Sequence, residues 1–285
     1  MNKPLYVTDL DGTLMRTDKS ISPRSVNIIN RLIREGVCFT VATARTIRSA
    51  AYIVRDIRFT LPVITLNGTA LANAETGKIT GAALFSDEDT VELKRLLHGR
   101  CANTVVKALF GDEIRRTYLR TSHNEAFSAY YEEHQSDPLM SAVDTEEELF
   151  AGGVCFLSLI APMQTLEPVW REIAPSGRWE ALLQKDTYRE DYWLEIFPKG
   201  ASKAEAMRKV MKQAGCDGLV VFGDSVNDLS GFRIADECYA VANASEDLKA
   251  AATAVIGSND SDAVAEWLDH HAIKPRSVFS HLRHV

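Results

Sequence analysis

The 285-residue sequence has no apolar run near the roughly 18 residues of a membrane-spanning helix, so no helical membrane anchor is expected. It has no paired-cysteine motif. Its five cysteines (Cys38, Cys101, Cys155, Cys216, Cys238) are scattered, odd in number and without CxxC spacing, which argues against a disulfide framework or a cysteine zinc site and fits reduced thiols. Positive charge is not in excess: 32 Lys and Arg stand against 39 Asp and Glu, a formal net charge of -7. A broad basic surface for nucleic acid is therefore not expected, although a local basic groove could take a small anion. The opening residues, MNKPLYVTDLDGT, carry one basic residue and an apolar stretch cut short by Asp9, without a signal-peptide core, so the expected compartment is the cytoplasm. Internal repeats and low-complexity tracts are missing too, and nothing specifies an oligomeric state.

What is present is a packed globular composition, 46% hydrophobic and 25% charged, in a chain longer than one typical domain. KPLYVTDL has the short, β-branched and aromatic texture of a buried strand. SPRSVNIINRLIREG follows as a helix, with Ser22 to cap it, Pro23 in its first turn and Gly36 to end it. VCFTVAT, RTIRSAAYIVRD and PVITLNG continue as strand, helix and strand. The alternation resumes with SKAEAMRKVMKQAG, GLVVFGD, VNDLSGFRIAD, CYAVANA, SEDLKAAA and SDAVAEWLDHH. Between these ends the texture changes: TVVKALFG, EIRRTYLRT, VCFLSLIA and DYWLEIF are strand-like, and DEDTVELKRLLHG and TEEELFA are acidic and helical. The expected fold class is α/β, a doubly wound Rossmann-like parallel sheet with an inserted α+β domain. Expected boundaries are residues 1–82 and 199–285 for the core and 83–198 for the insertion.

Carboxylates gather where the expected core strands end. Asp9-Leu10-Asp11 follows the first strand, Thr43 the second and GDSVNDL a late one, while Lys203 opens the helix before it. Ligands in open α/β sheets bind at the carboxyl ends of strands, so residues some 200 positions apart can meet there. In an extended segment Asp9 and Asp11 face the same way. Asp9, Asp11, Asp224 and Asp228 together would repel unless a cation sat among them, and an oxygen-only set favours a hard ion, Mg²⁺ first. Gly12 permits a sharp turn after the carboxylates, and Thr43 and Lys203 supply a donor and a positive charge for an anion. Each fragment alone fits a turn or a cap. Their order after successive strands points to phosphoryl transfer through an aspartyl-phosphate.

These residues resemble the haloacid dehalogenase superfamily, and within it the Cof-type phosphatases with a C2B cap (subfamily IIB). Asp9-Leu10-Asp11-Gly12-Thr13 matches DxDGT and Gly223 to Asp228 matches GDxxND; Thr43-Ala44-Arg45 stands where Ser/Thr-Gly-Arg is usual, and Lys203 lies in a near match to KGxSK. LNGT at Leu66 to Thr69 and VANASEDLKAAA from Val241 resemble two further family segments. The resemblance implies Asp9 as nucleophile and metal ligand, and Asp11 as proton carrier and metal ligand through its carbonyl. It implies Thr43 and Lys203 as phosphoryl clamps, Asp224 as a direct Mg²⁺ ligand, and Asp228 as a ligand directly or through water. Arg45, Asn67 and Asn227 are candidate substrate contacts, with a structural salt bridge for Arg45 and turn or cap roles for the asparagines as the competing readings.

The expected function is that of a Mg²⁺-dependent phosphatase for a small phosphorylated metabolite, such as a sugar phosphate. A phosphomutase using the same aspartyl-phosphate, or a non-catalytic phosphometabolite-binding protein, are the alternatives. Specificity is expected in the insertion, with EIRRTYLR (Glu113 to Arg120) and QKDTYRED (Gln184 to Asp191) as polar, aromatic candidates or else solvated surface.

Overall fold

A computed structural model describes residues 3–122, 124–186 and 189–272. The basic tail beyond Ala272 and Thr187-Tyr188 of the QKDTYRED stretch lie outside the described residues. The chain starts with β1 (Pro4–Thr8), α1 (Pro23–Arg34), β2 (Cys38–Val41), α2 (Ile47–Val54) and β3 (Val63–Thr65). A hairpin of β4 (Ala70–Ala72) and β5 (Ile79–Ala82) follows. Next come α3 (Asp87–Leu97), β6 (Thr104–Phe110), β7 (Glu113–Leu119), α4 (Glu125–His134), β8 (Met140–Val143), α5 (Glu146–Leu149), β9 (Gly153–Ala161), α6 (Met163–Ile173), β10 (Trp179–Lys185) and β11 (Tyr192–Pro198). The last section holds α7 (Lys203–Ala214), β12 (Gly218–Gly223), α8 (Leu229–Phe232), β13 (Glu237–Ala240), α9 (Glu246–Ala251), β14 (Ala254–Val255) and α10 (Ala263–His271).

The core sheet runs β14-β13-β12-β1-β2, all parallel, so the two ends of the chain form one sheet. β1 is an interior strand, pairing Val7 with Val221 on one side and with Thr40 on the other. All five of its residues are buried, which is why it reads as a continuous apolar run rather than an alternating one. Helices cover it: Ser22, the expected cap, accepts at Oγ from Ser25 N–H at the start of α1, and Ser202 Oγ accepts from Glu205 N–H at the start of α7. Trp267 of α10 packs edge-on against Phe222 and tilted against Tyr239, closing one face of the sheet.

β3 continues the parallel arrangement as expected, through a short junction. It meets the β2 side through a parallel bridge, Ala42 to Ile64, with Thr43 N–H donating to Ile64 C=O at 2.9 Å, and it also pairs antiparallel with β4. The turn joining β3 to β4 makes that antiparallel pairing: Leu66, Asn67 and Gly68 all have positive φ, at 51°, 51° and 95°, and reverse the chain within three residues.

The second sheet runs β10-β11-β9-β6-β7-β8 and is antiparallel except between β7 and β8. It carries its own apolar cluster, drawn from residues between Phe85 and Ile196, whereas the core cluster is drawn from Leu5 to Ala72 and from Ala206 to Leu268. A small third cluster, with Leu66 and Ala70 beside Phe156 and Phe197, joins the two. No helix among the described residues is long and apolar enough to cross a membrane.

Gly68 marks where the turn meets α7. A Cβ there would lie 2.1 Å from the Ser202 carbonyl oxygen, on a backbone already at φ +95°. Gly68→Ala is therefore expected to destabilise the protein by about 3 kcal/mol, from strain and backbone displacement together. Urea unfolding checks this; a loss under about 0.5 kcal/mol, the range of an ordinary surface change, would contradict the packing described.

Candidate active site

Lys203 is the first residue of α7 and is almost completely buried, at 1% exposure. Its Nζ donates to Asp9 Oδ1 at 2.6 Å and to Asp228 Oδ1 at 2.7 Å. Asp9 follows β1, and Asp228 closes a short helical turn after β12. The backbone holds these groups from both sides: Asp9 N–H donates to Phe222 C=O at 2.9 Å, and Asp224 and Ser225 N–H groups donate to Asp228 Oδ2 at 3.0 and 3.2 Å. One oxygen each from Asp9, Asp224 and Asp228 lie within 4.8 Å of one another.

Burial and like charge shape their titration. Burial raises Asp9 well above the usual carboxylate range, Lys203 opposes this, and Asp228, Asp224 and Asp11 add to it. Burial and then Asp228 push Asp224 up to about 7, against the Thr13 hydroxyl, which donates to it at 3.0 Å. Burial disfavours the Lys203 charge, but Asp228 and Asp9 outweigh that and raise it above the ordinary lysine range.

The turn after β1 provides the close approach expected of Gly12. Met15 N–H reaches Leu10 C=O at 2.8 Å, and Gly12 takes φ +72°. A Cβ at Gly12 would sit 2.6 Å from Asp224 Oδ2, so glycine is required by φ and by space together. Asn243, within the VANA segment, donates to Gly12 C=O at 2.8 Å and accepts from Asn259 N–H. This bracing role was not read from the sequence; the polar Asn243 just beyond an apolar strand was the signal available.

Asp11 lines the same cavity as Asp9 but turns to Arg45, which binds both of its oxygens at 2.6 and 2.7 Å. Arg45 also donates to Ser49 Oγ at 3.0 Å, so the salt bridge weighed from the sequence exists, within the cavity. Thr43 is buried, and its hydroxyl accepts from Arg45 N–H. Asn67 sits in the strained turn, where its amide donates to Glu195 Oε2 at 2.6 Å and accepts from Asn227 Nδ2 at 3.3 Å. Ser225 Oγ in turn donates to Asn227 Oδ1 at 2.7 Å.

A cavity of about 600 Å³ opens over these groups, and its opposite wall comes from the second sheet and α4. Lys107, Arg116, Tyr130, Trp193 and Glu195 contribute there. Apart from Arg116, which lies in the EIRRTYLR stretch, none was singled out from the sequence. The available signal was a charged residue inside an apolar strand run, Lys107 in TVVKALF and Glu195 in DYWLEIF. Of the proposed substrate-reading stretches, Arg116 from EIRRTYLR and Gln184, Lys185, Asp186 and Arg189 from QKDTYRED line the cavity.

Without Lys203, Asp9 and Asp228 are two buried carboxylates lacking their cation. Lys203→Met is expected to destabilise the metal-free protein by about 3 kcal/mol at neutral pH. Adding Asp9→Asn should recover part of that loss, a coupling that a double-mutant cycle of chemical unfolding measures. Strictly additive losses would show that the three groups do not act together.

The haloacid dehalogenase-like hydrolase family matches residues 6–268. The 5-amino-6-(5-phospho-D-ribitylamino)uracil phosphatase YitU of Bacillus subtilis is 24% identical, over 94% of this chain and 97% of that protein. The pyridoxal phosphate phosphatase YbhA of Escherichia coli is also 24% identical, over 96% of this chain and all of its own. The solved structure of the HAD subclass IIB sugar phosphatase BT4131 superposes with a TM-score of 0.73 at 19% identity, covering 94% of this chain and 98% of that one. With the carboxylate and lysine cluster at the strand ends of a parallel sheet, and a family match across nearly its whole length, the chain belongs to the haloacid dehalogenase-like hydrolases and is a phosphatase of that family.

Proposed function

We propose that the protein is a Mg²⁺-dependent phosphatase that hydrolyses a small phosphorylated metabolite, a sugar phosphate in particular, through a phosphoryl-Asp9 intermediate. The observation that carries this reading is the buried Asp9-Lys203-Asp228 array, which meets the cavity at Asp9. Residues 83–198 act as a cap over that cavity; their separate sheet and apolar cluster support this division. The cytoplasm is the proposed compartment, in keeping with five free cysteines.

The donor set fits a hard cation: three carboxylates, oxygen only, within 4.8 Å. Asp9, Asp224 and Asp228 would hold it, with the Asp11 carbonyl. When bound, the ion neutralises charge between the carboxylates and the incoming phosphoryl group.

Asp9 Oδ attacks phosphorus, the bond to the leaving oxygen breaks, and Asp11 delivers its proton to that oxygen. Water then attacks the phosphoryl-Asp9, gives its proton to Asp11, and releases phosphate with Asp9 restored. Lys203 and the Thr43 hydroxyl hold the phosphoryl oxygens throughout. Arg45 binds both Asp11 oxygens in this structure, so Asp11 must leave Arg45 before it carries a proton. The phosphoryl dianion competes for the guanidinium and frees Asp11 as substrate arrives.

The test is inorganic phosphate release across a panel of phosphomonoesters, with Mg²⁺ and with EDTA, alongside product analysis for isomers. Asp9→Asn should lower turnover at least about 1,000-fold, and EDTA should abolish it. Metal-independent release, retained activity in Asp9→Asn, or formation of an isomer without free phosphate would each overturn the reading.

A further inference from the structure

Two buried charges of opposite sign face the cavity from the cap side without pairing. Lys107 on β6 and Glu195 on β11 are 5% and 3% exposed, and both line it. Strand β9 lies between them in the sheet, with Ser158 directly opposite Glu195. Lys107 Nζ reaches over β9 to donate to Ser158 Oγ at 2.7 Å, and lies 4.2 Å from the centre of the Phe156 ring. Glu195 Oε2 accepts from Asn67 at 2.6 Å and from Gln184 at 3.3 Å. Among the described residues no direct ion pair joins Lys107 to Glu195. Even so, they sense each other: burial lowers Lys107 to about 8 and raises Glu195 to about 7, each effect opposed by the partner's charge.

We propose that Lys107 and Glu195 form the subsite that reads the leaving group, by accepting a hydroxyl that takes a hydrogen bond from the ammonium and gives one to the carboxylate. This deepens the phosphatase reading and rests on it. Other leaving groups fit less well. A second anion would meet Glu195, and a cation would meet Lys107 and Arg116. A purely apolar group would desolvate two buried charges without replacing their hydrogen bonds. A hydroxyl has both donor and acceptor, and Trp193 and Tyr130 line the cavity wall that the carbon skeleton would meet.

Position ties this subsite to the chemistry. Asn227, beside Asp228, donates to Asn67, and Asn67 donates to Glu195, so two amides link the phosphoryl floor to the cap carboxylate. The left-handed backbone of Leu66 and Asn67 holds that link in place. The hydroxyl read is therefore one carried close to the phosphate ester, as in a phosphorylated polyol or sugar.

The experiment compares phosphate release by Mg²⁺-loaded wild type from esters matched in carbon skeleton: glycerol and propyl phosphates, and glucose 6-phosphate with its deoxy analogues. Removing the hydroxyl that is read should lower kcat/KM about 100-fold or more in at least one pair. In Lys107→Met and Glu195→Gln, checked for folding by circular dichroism, that ratio should shrink to about tenfold or less. Equal rates within each pair in the wild type, or full discrimination kept by both folded variants, would overturn the subsite while leaving the phosphatase reading intact. Release from no ester by folded wild type would overturn that reading, and the subsite with it.

Discussion

One buried ammonium organises this molecule. Lys203 holds Asp9 from the first strand and Asp228 from near the end of the chain, residues 194 and 25 positions away from it. Burying three charged side chains is costly unless each is paired and hydrogen-bonded. The pairing is therefore inseparable from the parallel arrangement of β1 and β12, which puts their carboxyl ends side by side. The same constraint explains the glycines: a Cβ at Gly12 or at Gly223 would lie 2.6 Å from the carboxyl group of Asp224 or of Asp228. Packing, charge and chemistry meet at one point of the fold.

The second sheet completes the site rather than creating it. Its inward face supplies Lys107, Glu195 and aromatic rings opposite the carboxylate floor, and Asn67 joins the two halves through hydrogen bonds to Asn227 and Glu195. Further ion pairs cross the same cleft. Arg48 of α2 meets Asp137 at 2.7 Å, and Lys19 meets Glu133 at 3.3 Å. The wall over the cavity is thus tied to the core at several points around its rim.

The core site was legible because its residues are charged or small in places where a buried strand ends, and such places are few. Asp9, Asp11, Thr43, Lys203, Asp224 and Asp228 all fall there: Asp9, Asp11 and Thr43 line the cavity, and Lys203, Asp224 and Asp228 cluster with Asp9. Arg45, Asn67 and Asn227 were ambiguous between structural and binding roles; Arg45 and Asn227 line the cavity, whereas Asn67 is buried and bonded to Glu195 and Asn227. The strands β6, β7, β9 and β11 were readable from their apolar texture. What escaped was set by long-range pairing or by local disguise. β3 reads as one more parallel strand and is bridged as one at Ile64, but the left-handed turn at Leu66 to Gly68, which folds β4 back onto it, was not readable. α6 contains Pro168, a breaker by local rules, and is retained because Leu166, Val169 and Ile173 are buried in the second cluster. Lys107 and Glu195 lie two strands apart, and no sequence pattern reveals that β9 separates them.

The central claim is that the Lys203-clamped carboxylate of Asp9 takes the phosphoryl group. The most direct measurement is rapid acid quench during the first turnover of a phosphomonoester labelled with ³²P, followed by peptide mapping. The account predicts label on the peptide containing Asp9, appearing before free phosphate and disappearing as it forms. Label on a different peptide, or free phosphate forming at every quench time with no labelled protein, would contradict it.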